Sequence, residues 1–127
     1  MIMQVIYDIE CLKNCFVIVF YEYKTDTFRD FEINIFKNEH RELTNYCKKL
    51  KTGVGFNNLH YDYPLLHEVI TRKKIEPEQI YAISQDIING VNKKFYYNPI
   101  FNQRDLFKIW HYDNKARSCS WVLLSER

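Results

Sequence analysis

Ile2-Met3-Gln4-Val5-Ile6-Tyr7-Asp8-Ile9-Glu10 is an apolar, β-strand-forming run that ends on two acids. Side chains of a strand alternate between its faces, so Asp8 and Glu10 project from the same side and present two carboxylates together. Hard oxygens in that arrangement suit a divalent cation such as Mg²⁺. Taken alone, an acidic pair at a strand end is more often merely solvated, and its meaning depends on residues further along the chain.

Beyond this strand, residues 15–23 form a second apolar run after the polar Lys13-Asn14, and Phe31, Ile33 and Ile35 alternate with Asp30, Glu32 and Asn34. Period-two alternation with short polar breaks predicts three antiparallel strands. Asn38 is placed to cap a helix in which Leu43, Tyr46, Cys47 and Leu50 recur at helical spacing, with Gly53 at its end. Val54-Gly55-Phe56 predicts a short buried strand parallel to the first, followed by a helix with Pro64 in its first turn and Leu65, Leu66, Val69 and Ile70 along it. Pro77 opens a further helix carrying Ile80, Ile83 and Ile87, which Asn89-Gly90 stops. A last strand near 103–110 and a short helix over 116–125 complete an α/β order with no repeat or linker.

Between the strand and helix of that middle unit lies Gly55-Phe56-Asn57-Asn58-Leu59-His60-Tyr61-Asp62-Tyr63-Pro64-Leu65-Leu66. Read with the Asp8-Ile9-Glu10 strand, it resembles the DEDD-type 3′–5′ exonucleases, in particular the proofreading domains of phage and cellular family B DNA polymerases. In those a D-I-E strand precedes a G-[FY]-N-x-x-x-[FY]-D-x-P-x-L segment, and Gln103-Arg104-Asp105-Leu106-Phe107-Lys108-Ile109 resembles the strand that comes next. The likeness spans roughly residues 3 to 120.

It implies a ribonuclease-H-like fold: a mixed five-stranded sheet, three antiparallel strands and then parallel ones, flanked by helices. Its central first strand would bring Asp8, Glu10 and Asp62 to one end of the sheet. The implied chemistry is phosphodiester hydrolysis with two divalent ions, Mg²⁺ or Mn²⁺, about 3.5–4 Å apart. By the resemblance Asp8 bridges both ions, Glu10 binds the one near the nucleophile, and Asp62 holds the other largely through water. Asn57 or Asn58 would touch the substrate phosphate or sugar, and Phe56 or Tyr61 would stack on the terminal base. Each has a plain structural alternative: Asp62 as an N-cap ahead of Pro64, the asparagines as turn residues, the aromatics as core.

The family also carries a fourth acid on a C-terminal helix, as Y-x-x-x-D or H-x-x-x-x-D. Beyond Asp105 the only acids here are Asp113 and Glu126, neither with Tyr or His at that spacing. Asp105 lies on a strand, in the wrong place for the role. The expectation is a single domain over residues 1–127 that lacks the family's last helix. It would be a weak or incomplete nuclease, either the N-terminal piece of a polymerase domain whose complementary chain supplies the last helix or a stand-alone enzyme using three carboxylates or a substitute acid such as Glu126. The surface left open by the missing helix would favour association with that chain or with itself. A different class is a nuclease-derived module that binds nucleic acid or a host protein without cutting.

Composition is consistent with one globular domain: 127 residues, 46% hydrophobic and 17% aromatic, suffice for a single core. The N-terminal apolar run is broken by Gln4, Asp8, Glu10, Lys13 and Asn14, which argues against a membrane span or signal peptide and for a cytoplasmic setting, the host cytoplasm if the gene is phage-borne. Cys11, Cys15, Cys47 and Cys119 lack metal-ligand spacing and read as small reduced core residues. Net charge is +2, with −2 over residues 1–89 and +4 over 90–127. Lys93, Lys94, Arg104, Lys108, Lys115 and Arg117 would line a path for single-stranded DNA, or RNA, unless they are a solvated face.

Overall fold

The computed structural model describes residues 2–91, 96 and 98–107. The expected helix over 116–125, Cys119, Asp113, Glu126 and most of the basic C-terminal residues lie outside them. The described chain is an α/β unit built on a five-stranded mixed sheet. In chain order its elements are β1 (Ile2–Leu12), β2 (Cys15–Glu22), β3 (Thr27–Asn34), α1 (His40–Cys47), β4 (Leu50–Gly55), a π-helical turn (Asn58–Asp62), α2 (Tyr63–Ile70), α3 (Pro77–Ile88) and β5 (Asn102–Asp105). The strand order is β3-β2-β1-β4-β5, with β1, β2 and β3 antiparallel in sequence and β4 and β5 parallel to β1.

Alternation sets the layers. Val5, Tyr7 and Ile9 of β1, Phe16, Ile18 and Phe20 of β2, and Phe31 and Ile33 of β3 all face inward. They join one buried cluster with Leu43, Tyr46 and Cys47 of α1, Leu65, Leu66, Val69 and Ile70 of α2, and Ile80 of α3. Gln4, Ile6, Asp8 and Glu10 occupy the opposite face of β1 and are exposed. Aromatic rings knit the inner face: Phe20 lies 4.8 Å from Tyr46, and Phe101 meets both Tyr7 and Tyr63 edge-on at 5.8 and 5.7 Å. No described helix is long and apolar enough to cross a membrane.

Several boundaries differ from the sequence reading. Leu50 and Gly53 do not continue and close α1. Both belong to β4, since the helix ends at Cys47 and its last turn passes straight into the strand. The glycine is needed there for a different reason: a Cβ on Gly53 would stand 2.4 Å from the Phe101 ring and 2.9 Å from that of Tyr7, closer than a methyl tolerates. Asn38 bonds the start of α1 from one residue further out than expected, its Oδ1 accepting the His40 N–H at 3.1 Å while Glu39 occupies the N-cap position. Ile35 falls beyond the end of β3 and is exposed. Pro64 and Pro77 do open α2 and α3. Glu76 and Gln79 form a reciprocal capping box at the latter, and Gly90, at φ 73°, follows its C-cap Asn89.

Candidate functional site

β1 is longer than its parallel neighbour. The β1–β4 pairing ends at Ile6↔Val54, while β1 runs on to Leu12 against β2. About half of the central strand therefore has main-chain groups on the β4 side with no strand beside them. The chain fills that place by leaving β4 at Gly55, reversing at Asn57 and descending through the π-helical turn to Asp62.

Each residue of this reversal has a physical task. Gly55 lets the buried Asn58 side chain lie flat on the strand, because a Cβ there would meet Asn58 Cβ and Cγ at 3.0 Å. Asn57 takes the left-handed conformation, φ 63° and ψ 24°, which asparagine tolerates better than most residues. Asn58 is wholly buried. One orientation of its amide donates to Gln103 Oε1 at 2.8 Å, and the other to the carbonyls of Gly55 and Arg104. The Tyr7 hydroxyl donates to the same Gln103 oxygen, so β1, β5 and the turn share one buried polar junction.

Asp62 ends this turn, 6% exposed. It does not cap α2: its backbone is helical, φ −60° and ψ −49°, and its side chain makes no cap hydrogen bond. Its carboxylate instead lies near the main chain of Ile9, whose N–H favours the charged form, as does its own backbone. Burial pushes its pKa up to about 7, the neighbouring Asp8 carboxylate and then Asp105 push in the same direction, and these main-chain groups act against them. The tertiary fold thus brings together Asp8 and Asp62, fifty-four positions apart in the chain.

Glu10 lies on the same exposed face of β1 as Asp8, and its charge reaches the phenol of Tyr61. Among the described residues no three His, Cys, Asp or Glu side chains are gathered as a metal-holding group. The carboxylates that do approach one another, Asp8 and Asp62, are hard oxygen donors of like charge. Carboxylate oxygens are donors of the class that hard divalent cations take.

The remaining site candidates divide. Phe56 is 46% exposed, its ring edge-on to Phe107 at 5.1 Å, and it stands at the rim of the reversal. Tyr61 is half-buried against the core, with its hydroxyl 2.8 Å from Ser84 Oγ on α3. With Asn57, His60, Ile87 and Ile88 it lines an open pocket of about 430 Å³. Asn57 has turn geometry and also lines this pocket, whereas buried Asn58 is a structural asparagine. Cys47 is fully buried, and Cys11 and Cys15 are partly so. All three are free thiols, and burial raises Cys47 to about 12.

The residue whose role the sequence reading missed is Asp105. It is 3% exposed and accepts three main-chain N–H groups, from Asn57 at 2.7 Å, Leu59 at 3.0 Å and Phe107 at 2.9 Å. The bond to Phe107, two residues on, is an Asx-type turn, and an Asp at a strand end is its sequence signal. The bonds to Asn57 and Leu59 carry no local signal. No family model, curated protein or solved structure matches the chain.

Proposed function

We propose that the chain is a ribonuclease-H-like nuclease domain that removes nucleotides from the 3′ end of single-stranded DNA, or RNA, with Mg²⁺ or Mn²⁺ at Asp8, Glu10 and Asp62. The observation that carries the reading is the electrostatic proximity of the buried Asp62 to Asp8, on the part of the central strand that β4 leaves uncovered. The sheet order β3-β2-β1-β4-β5, antiparallel and then parallel, supports the fold side of it.

In this reading Asp8 and Asp62 would be ligands of a bound ion, and Glu10 would offer a third carboxylate from the same face of β1 as Asp8. The bound ions would supply Lewis-acid stabilisation of a phosphodiester undergoing hydrolysis. The chain's own contribution is placement: the Ile9 main chain orients the Asp62 carboxylate, and the exposed Phe56 ring offers a stacking face for a terminal base. Asp62, with its pKa near 7, must give up its proton before it can bind a cation, so ion uptake is tied to pH.

A second reading is favoured by that same retained proton, which near neutral pH leaves Asp62 only partly available to a cation: a nuclease-derived module that binds nucleic acid without cutting it. One experiment tests both. A 3′-labelled single-stranded oligonucleotide is incubated with Mn²⁺ and the wild type, Asp8→Ala or Asp62→Asn. The expected result is slow 3′ trimming by the wild type, lost in both variants. Binding with no trimming leaves the second reading, and trimming that survives Asp8→Ala excludes this site as its source.

A further inference from the structure

Three acids lie within electrostatic reach at the end of the sheet, Asp8, Asp62 and Asp105, and the obvious assignment of Asp105 is as a further metal ligand. The hydrogen bonds argue against it. A carboxylate offers about four lone-pair sites, and three on Asp105 are taken by N–H groups of Asn57, Leu59 and Phe107, with the group all but sealed from solvent. Those donors are not scattered. Two belong to the start of the reversal that carries Asp62, and the third to the strand's own exit.

We infer that Asp105 is the positioning residue for Asp62, the buried anchor that clamps the Asn57–Asp62 reversal onto the end of β5 and so holds the Asp62 carboxylate against the Ile9 main chain. The inference rests on the proposed site only in taking Asp62 as one of its ligands; the mechanics stand without it. A reversal through a left-handed Asn57 and a single π-helical turn has few internal bonds to fix it. The first N–H groups of any helical segment have no partner within it and need an outside acceptor. Asp105 supplies a charged one, and charge-assisted bonds of this kind are the stronger class. Because β5 is paired in register with β4, Gly55↔Asp105, the anchor sits directly beside the point where the chain leaves the sheet. The junction of Asn58, Gln103 and Tyr7 braces the same reversal one residue further along.

The test uses the full chain, labelled with ¹⁵N, and two readouts. In the wild type the amides of Asn57 and Leu59 are expected to exchange with deuterium as slowly as those of the paired β1 residues, although neither lies in a strand. Rapid exchange at both would overturn the inference with no variant needed. In Asp105→Asn, whose amide NH₂ cannot accept the Leu59 N–H, exchange at Leu59 is expected to quicken about tenfold or more and the Ile9 amide resonance to move. Mn²⁺ affinity should fall about tenfold, the usual effect of losing a residue that orients a ligand. Phe31→Leu, a core change on β3 at the far edge of the sheet from β4 and β5, serves as the control: it should lower stability and leave the Leu59 exchange and the Ile9 resonance in place. A folded Asp105→Asn protein with an unmoved Ile9 amide overturns the positioning role. If the wild type takes up no Mn²⁺ while the Leu59 and Ile9 readouts respond as expected, the positioning role stands and the proposed metal site falls.

Discussion

Among single residues, Asp62 is where fold and chemistry conflict. In the folded chain it keeps its proton up to about pH 7, against an ordinary value of 3.8. Between those values the folded state binds more protons than the unfolded one, so linkage makes stability fall as pH rises through that window, with the full contribution present only below it. Asp62→Asn keeps the shape and an acceptor for Ile9 but is neutral throughout. In urea denaturation it should match the wild type near pH 4 and be more stable by about 2–4 kcal/mol at pH 8. Equal stability at pH 8 would mean the acid is not held as described. Mg²⁺ added at pH 8 should raise the wild-type midpoint and leave that of Asp62→Asn unchanged, because only the ionised pair gains from a cation.

Among the elements, the strand-to-turn passage after β4 is set by two glycines and one asparagine. Gly53 lies under the rings of Phe101 and Tyr7, so Gly53→Ala forces one of two packed aromatics to move. Overpacking of this kind typically costs about 1–3 kcal/mol, and the loss should appear in the denaturation midpoint with the fold retained. Asn57 should accept glycine almost without cost, since its φ is positive, whereas Asn57→Val should lose about 1–3 kcal/mol because a β-branched residue is strained there. Equal stability of these two variants would show that the reversal does not hold its left-handed residue in solution.

Across the molecule, one face of the sheet carries the helices and the other presents Asp8 and Glu10, with Arg104 exposed on β5. If the basic residues of 90–127 line the path of a nucleic-acid strand past these acids, single-strand binding should be weak and lose affinity steeply as salt rises, which fluorescence anisotropy of a labelled single strand would register. Salt-independent binding would point to a protein partner instead.

Much of this molecule was legible in its sequence, because the signals concerned are local. The apolar, β-branched and aromatic runs at residues 2–9 and 15–23 fit strands, the alternation around Phe31 and Ile33 reflects a strand's two-residue period, and Pro64 and Pro77 mark helix starts because a first-turn residue needs no N–H partner. The facing of Asp8 with Glu10 comes from the same period. Matters that depend on a distant neighbour were left to the tertiary fold. Gly53 reads locally as a helix stop, but it is a strand residue because two rings from elsewhere in the chain occupy the space of its side chain. Asp62 reads equally as a cap or a ligand, and its burial beside Asp8 and Ile9 settles that it caps nothing. Asp105 reads as an acid in the wrong place, and only the folding of β5 beside β4 delivers it to the N–H groups of Asn57 and Leu59, forty-eight and forty-six positions away in the chain. Periodicity and turn chemistry are written in adjacent residues, whereas hydrogen-bond partners and packing limits are set only when the sheet closes.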